Sequence, residues 1–294
     1  MTDPAPTTRP NLAVPTLGGK QFWADRRWHQ GWRIQENILT GHHRLLDEND
    51  RRLAWGNLPA CLLELEARGP ITTPSDGTLI ILLHGMGRSR AAFSKMQREL
   101  EAQGFAVASI SYPSTRRPLE AHAQQLAEVL EHLQDYSRVS FVTHSLGAIV
   151  VRRLLADDGA WQQRISVQRI VMIGPPNQGS AFAEKIESFP PYTWIFGDTG
   201  QSLTPAVMES LPAPKVPFLV IAGSRGHKDG WNPILPGDDD FVVRVPETHL
   251  AGEAGHLIVK DLHGLMMNNS GVIAATSLFL RNEEILQQSV LSEM

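Results

Sequence analysis

The chain has 294 residues, 42% of them hydrophobic and 20% charged, with a formal net charge of −4. That is the size and composition of a globular protein of one or two domains, and the lack of a dense Lys/Arg block argues against nucleic acid as a partner. The single cysteine, Cys61, excludes an internal disulfide, no CxxC or clustered Cys/His set points to a metal or cofactor, and no apolar run approaches the roughly 20 residues that span a bilayer.

Residues 1–20, with several prolines and no apolar run, read as a flexible leader without signal-peptide character, so a cytoplasmic location is expected. Residues 21–77 hold Trp23, Trp28, Trp32 and Trp55 and short alternating stretches. They read as a hairpin followed by a connector packed on the core, with the polar run Asp47-Glu48-Asn49-Asp50 as the turn. His42 and His43 in this stretch read as surface or turn residues.

From residue 78 a regular alternation sets in. Strands are expected at 78–83, 105–110, 138–143, 167–173, 216–222 and 256–259. Helices are expected at 89–102, from Pro118 onward with Leu119, Leu126, Leu130 and Leu133 on one side, at 146–155, and at 269–280. Strand–helix–strand repetition with right-handed crossovers predicts an α/β fold with a mostly parallel sheet covered on both faces. Residues 78–294 form this unit, with a short cap segment at about 181–214.

In open α/β sheets reactive groups gather at the carboxyl ends of the strands. After 138–143 comes Thr143-His144-Ser145-Leu146-Gly147, where a sharp strand-to-helix turn would expose the Ser145 hydroxyl above a helix N-terminus, with Gly147 permitting close packing. Thr143 stands where the usual G-x-S-x-G pattern has glycine, and an ordinary serine N-cap is the competing reading. After 78–83 comes His84-Gly85-Met86-Gly87; in a nucleophile-elbow enzyme the oxyanion amides would be those of Met86 and Leu146.

A base is expected after the last strand. His263 follows it, His256 begins it and so sits at the wrong end, and His249 lies in an irregular stretch. The acid should fall between 222 and 263, where Asp229, Asp238, Asp239, Asp240 and Glu247 are candidates. Asp240 is favoured because Phe241-Val242-Val243 could carry it into a packed segment, leaving Asp238 and Asp239 as surface charges. The chain order Ser…Asp…His is the hydrolase order.

Five pieces in this order resemble the small bacterial esterase/lipase branch of the α/β-hydrolase superfamily: Leu83-His84-Gly85-Met86-Gly87, Thr143-His144-Ser145-Leu146-Gly147, Gly174-Pro175-Pro176-Asn177-Gln178-Gly179-Ser180, Leu235-Pro236-Gly237-Asp238-Asp239-Asp240 and His263-Gly264-Leu265-Met266-Met267. The resemblance runs from about residue 78 to 281. It implies Asp240 as the triad acid and His263 as the base, and it puts Phe241 where the family has glycine. The expected activity is hydrolysis of a small-molecule ester or lipid-like substrate through an acyl-enzyme, without metal or organic cofactor. Thioester, amide or acyl-transfer chemistry on the same triad, or a non-catalytic binding role, are the alternatives. In the cap segment Phe182, Phe189, Tyr192 and Trp194 either bind the apolar part of the substrate or pack the segment down.

Overall fold

The structure, a computed structural model, describes residues 14–15, 21–70, 75–182 and 204–282. Its centre is a six-stranded parallel sheet in the order β11-β10-β9-β8-β6-β7. The strands are β6 (Ser75–Leu83), β7 (Ala106–Ile110), β8 (Tyr136–His144), β9 (Ser166–Ile173), β10 (Phe218–Ser224) and β11 (Gly255–Lys260). Alternation along β6 shows why both faces need cover. Leu79, Ile81 and Leu83 enter one apolar core, and Ile80 and Leu82 enter the other.

The first core is closed by α3 (Leu119–Glu131) and α4 (Leu146–Ala156), the second by α2 (Ser94–Ala102) and α7 (Ser270–Leu280). Helix α4 is buried nearly all round, from Leu146 through Leu154, and each such Leu, Ile or Val contributes about 1.5–3 kcal/mol on burial. Helix α7 starts at Asn269, whose side chain accepts from the Gly271 and Val272 amides. Two short helices, α5 (Pro205–Ser210) and α6 (Val245–Thr248), lie in the connections around β10. No helix among the described residues is long and apolar enough to cross a membrane.

The amino-terminal part departs from the expected single hairpin. It is a five-stranded antiparallel sheet, β1 (Val14–Pro15), β2 (Trp23–His29), β3 (Trp32–Asn37), β4 (His43–Leu46) and β5 (Arg51–Gly56), in the order β1-β5-β4-β3-β2. Helix α1 (Leu58–Arg68), capped by Asn57, covers it, with its buried Cys61 packed into a cluster with Ile34, Leu45 and Leu53. Two features hid these strands. Bulges interrupt the alternation at Asp25/Arg27 and Leu45/Leu46, and a buried polar chain, Arg44 to Gln35 to Asp25, occupies inward positions where apolar residues mark a strand. The stretch Asp47–Asp50 does form a turn: Asp47 Oδ1 accepts from the Asn49 and Arg51 amides. His43 lies in a strand, and the His42 ring packs 4.0 Å from Trp55.

This sheet is joined to the parallel sheet through Asp25. Its carboxylate accepts from Ser111 N at 2.6 Å, its amide donates to Ser111 O at 3.0 Å, and Gln125 Nε2 donates to both backbone carbonyls, Asp25 O and Ser111 O. A second link is the ion-pair chain Arg33–Asp50–Arg90. Trp28 completes the junction by entering the first core.

Candidate active site

The strand register fixes where the chemically interesting loops emerge. Leu83 pairs with Thr143, His144 with Ile173, Ile173 with Ile221, and Ser224 with Lys260. The segments after β6, β8, β9, β10 and β11 therefore leave the sheet along one carboxyl edge.

Ser145 stands between β8 and α4 at φ 51°, ψ −122°, a strained conformation for a residue with a side chain. Its hydroxyl caps no helix amide, which sets aside the N-cap reading. The close packing is visible in the neighbouring glycines: a Cβ on Gly147 would stand 2.5 Å from Leu83 O, and one on Gly85 would stand 3.1 Å from Ser145 Cβ. The loop after β6 is thus pressed against the serine. Among the described residues neither the Met86 nor the Leu146 amide donates to a protein acceptor. Thr143 replaces the usual glycine without conflict, because its hydroxyl turns into the sheet and donates to Val171 O.

Asp240 and His263 are brought together. The Asp240 carboxylate is fully buried; Oδ2 accepts from His263 Nδ1 at 2.6 Å, and Oδ1 accepts from the Val242 and Val243 amides at 3.0 and 2.8 Å. The His263 amide also donates to Asp240 O at 2.8 Å. These bonds offset the cost of removing a carboxylate from water and leave His263 Nε2 as the ring's other nitrogen. Ser145 is linked to this pair through the end of β9: its amide donates to Ile173 O, and the residue after Ile173, Gly174, at φ 56°, has its α-carbon so placed that a Cβ would meet the His263 ring at 3.1 Å.

The other acid candidates are engaged elsewhere. Asp239 is not a surface charge as expected but fully buried, its Oδ1 accepting from the Asn232 and Phe241 amides. Asp238 holds Ser224 Oγ and the Arg225 amide, so it too is a structural turn residue. In both cases proximity to unpaired loop amides decides the carboxylate's place. Glu247 accepts from the Arg244 and Ala181 amides, and Asp229 is exposed beside His227. His249 and His256 lie together near the opposite end of β11 from His263.

Two residues that sequence reasoning passed over shape the site. His144 Nε2–H donates to His263 O at 2.8 Å, and the two rings are 4.6 Å apart; burial, and then neighbouring His263, hold His144 well below the ordinary histidine pKa. His84, also buried, is pushed down to about 4 by desolvation. It bonds Gly85 O through Nδ1 and receives the Tyr112 amide at Nε2, which orders the loop carrying Met86. Their signal was their adjacency to the serine and glycine motifs. Of the cap residues, Phe182 is half-buried at the start of that segment; Phe189, Tyr192 and Trp194 lie outside the described residues.

A family model described as a domain of unknown function (DUF7379) matches residues 57–188. No curated protein matches the chain in sequence. Among solved structures, the chain is similar to Bacillus licheniformis lipase BlEst2 in mature form, at 20% identity over 72% of this chain and 93% of that one, with a TM-score of 0.56. It is also similar to the metagenomic carboxyl esterase MGS0156, at 18% identity over 66% and 67% of the chains and a TM-score of 0.50. The lin2722 gene product from Listeria innocua matches at 15% identity over 72% and 97%, with a TM-score of 0.50. At these identities the likeness is one of fold: the chain has the α/β-hydrolase fold.

Proposed function

We propose that the protein is a serine hydrolase of carboxylic esters, with Ser145 as nucleophile, His263 as base and Asp240 as the group that orients it. The observation that carries this reading is the preformed Asp240–His263 pair at 2.6 Å, on the same sheet edge as a serine held at φ 51°. Asp240 keeps the proton on Nδ1, so Nε2 is the nitrogen able to accept the Ser145 proton. The serine oxygen then attacks the ester carbonyl, and the Leu146 and Met86 amides, which have no protein acceptor among the described residues, receive the oxyanion; one such donor is worth roughly 3–4 kcal/mol. The alcohol leaves with the proton from His263. Water, deprotonated by the same ring, releases the acid from the acyl-serine.

Substrate apolarity is supported by exposed Phe241, next to Asp240, and exposed Leu265, two residues beyond His263. The lipase and carboxyl esterase among the similar folds point the same way.

The test is hydrolysis of p-nitrophenyl esters of graded chain length, with fluorophosphonate labelling. Ester turnover and labelling at Ser145 are expected, and Ser145→Ala should remove both, with kcat falling on the order of 10⁶-fold. Labelling without ester turnover would redirect the reading to thioesters or amides. Turnover undiminished in Ser145→Ala, or a wild-type chain neither labelled nor active, would overturn it.

A further inference from the structure

On the connection between α6 and β11 and the start of β11, His249, Glu253 and His256 bring one donor atom each to within 4.8 Å of the others. Residues 248–256 are tied down around them. Asn177 Nδ2 donates to Thr248 O at 2.8 Å, Gln178 Nε2 donates to His249 O at 3.3 Å, and the Ala254 amide donates to Phe218 O at 2.8 Å.

The hydrogen bonds assign the donor atoms. Thr248 has one hydroxyl proton, and it is given to Val245 O at 2.7 Å. The 2.8 Å contact between Thr248 Oγ1 and His256 Nε2 therefore has the ring donating, which leaves Nδ1 of His256 with its lone pair. An outer partner that fixes the tautomer in this way is the usual companion of a metal-binding histidine. Glu253 Oε2 accepts from the Leu250 amide at 3.1 Å and Oε1 from His249 Nδ1–H at 2.8 Å, so that carboxylate is held and faces the pair. The two imidazoles stack at 3.8 Å with 15° between their planes, and His249 is half exposed.

We propose that His249, Glu253 and His256 form a binding site for a divalent transition-metal ion of the zinc type, apart from the Ser145 site. Two imidazoles and one carboxylate suit a borderline cation and leave a fourth position for water. Stacked rings cannot both aim in-plane lone pairs at one ion, so loading turns the exposed His249 ring out of the stack. The donors then close to roughly 3.4 Å from one another, as tetrahedral bonds of about 2.1 Å require. Anchored Glu253 and His256 stay in place, and only a surface side chain moves.

The site sits at the amino end of β11, while His263 lies beyond its carboxyl end. It therefore clamps the connection between Asp240 and His263 and stays out of the chemistry. This inference does not rest on the hydrolase reading.

The experiment is calorimetric titration of the full chain, freed of metal by chelation, with zinc chloride, together with thermal unfolding with and without zinc. One-to-one binding and a zinc-dependent rise in Tm are expected in the parent chain. Exposed His249→Ala should lose both while keeping the parent Tm in chelator, and Thr248→Val should weaken binding about 10–100-fold. Zinc binding undiminished in His249→Ala, or no saturable one-to-one binding by a folded parent chain, would overturn the proposal.

Discussion

At the residue scale, the positions around Asp240 show strain tolerated beside an ordered carboxylate. Phe241 has φ 89°, in the half of conformational space that costs a side-chain-bearing residue about 1–2 kcal/mol. It is held there because its amide serves Asp239 and its carbonyl takes Asn232 Nδ2, while the two following amides serve Asp240. The residue is 48% exposed, so about half of the ring's burial, roughly 1 kcal/mol, is still returned. Phe241→Gly removes the strain but loses that burial and frees the unfolded chain, a further loss of about 0.4–1 kcal/mol. The effects offset one another, so the variant should keep the parent Tm within about 2 °C in thermal unfolding. A larger fall would mean that ring packing outweighs the backbone.

At the element scale, the amino-terminal sheet is attached by a few buried polar bonds in addition to Trp28. Asp25 is the centre of that junction, fully buried, with burial raising its carboxyl pKa before Arg33 and its hydrogen bonds pull it back. Asp25→Ala would leave the Ser111 amide and the Gln35 side chain without their acceptor. The expected loss is on the order of 3 kcal/mol, read as a lower denaturation midpoint in urea, with earlier proteolytic cleavage between this sheet and the core. An unchanged midpoint would show the junction to be carried by apolar contact alone. A comparable device lies at α4, where buried Arg152 donates to Asn177 O and Met208 O and so ties the stretch after β9 and helix α5 to α4.

At the scale of the whole molecule, buried neutral histidines couple stability to pH. His84 is lowered to about 4 and His122 to about 3, both by burial first, and His144 lies well below 6.5. Between those folded values and 6.5 the unfolded chain binds protons that the folded chain refuses, so stability is complete above 6.5 and falls as pH drops. His84 and His122 should each remove about 2 kcal/mol between pH 7 and 5, and His144 acts in the same direction. Urea unfolding at the two pH values measures the sum, and His122→Gln should make the dependence shallower by one proton. A midpoint unchanged between pH 7 and 5 would contradict the buried neutral state.

The sequence by itself determined the parallel sheet, because strands buried on both faces read as continuous apolar runs and their helices carry a clear stripe. It also put Ser145 and His263 just beyond strands, where any α/β sheet collects its loops, and favoured Asp240 among the acids of the connection between 222 and 263. Only the tertiary structure decided what depends on partners distant along the chain. The contact of His144 with His263 O and the bond of the Asp25 carboxylate to the Ser111 amide carry no local period. The gathering of His249, Glu253 and His256 depends likewise on backbone pinned from Asn177, Gln178 and Phe218. Hydrogen bonds of that reach are set by which strands lie side by side, and no window of sequence contains both ends of them.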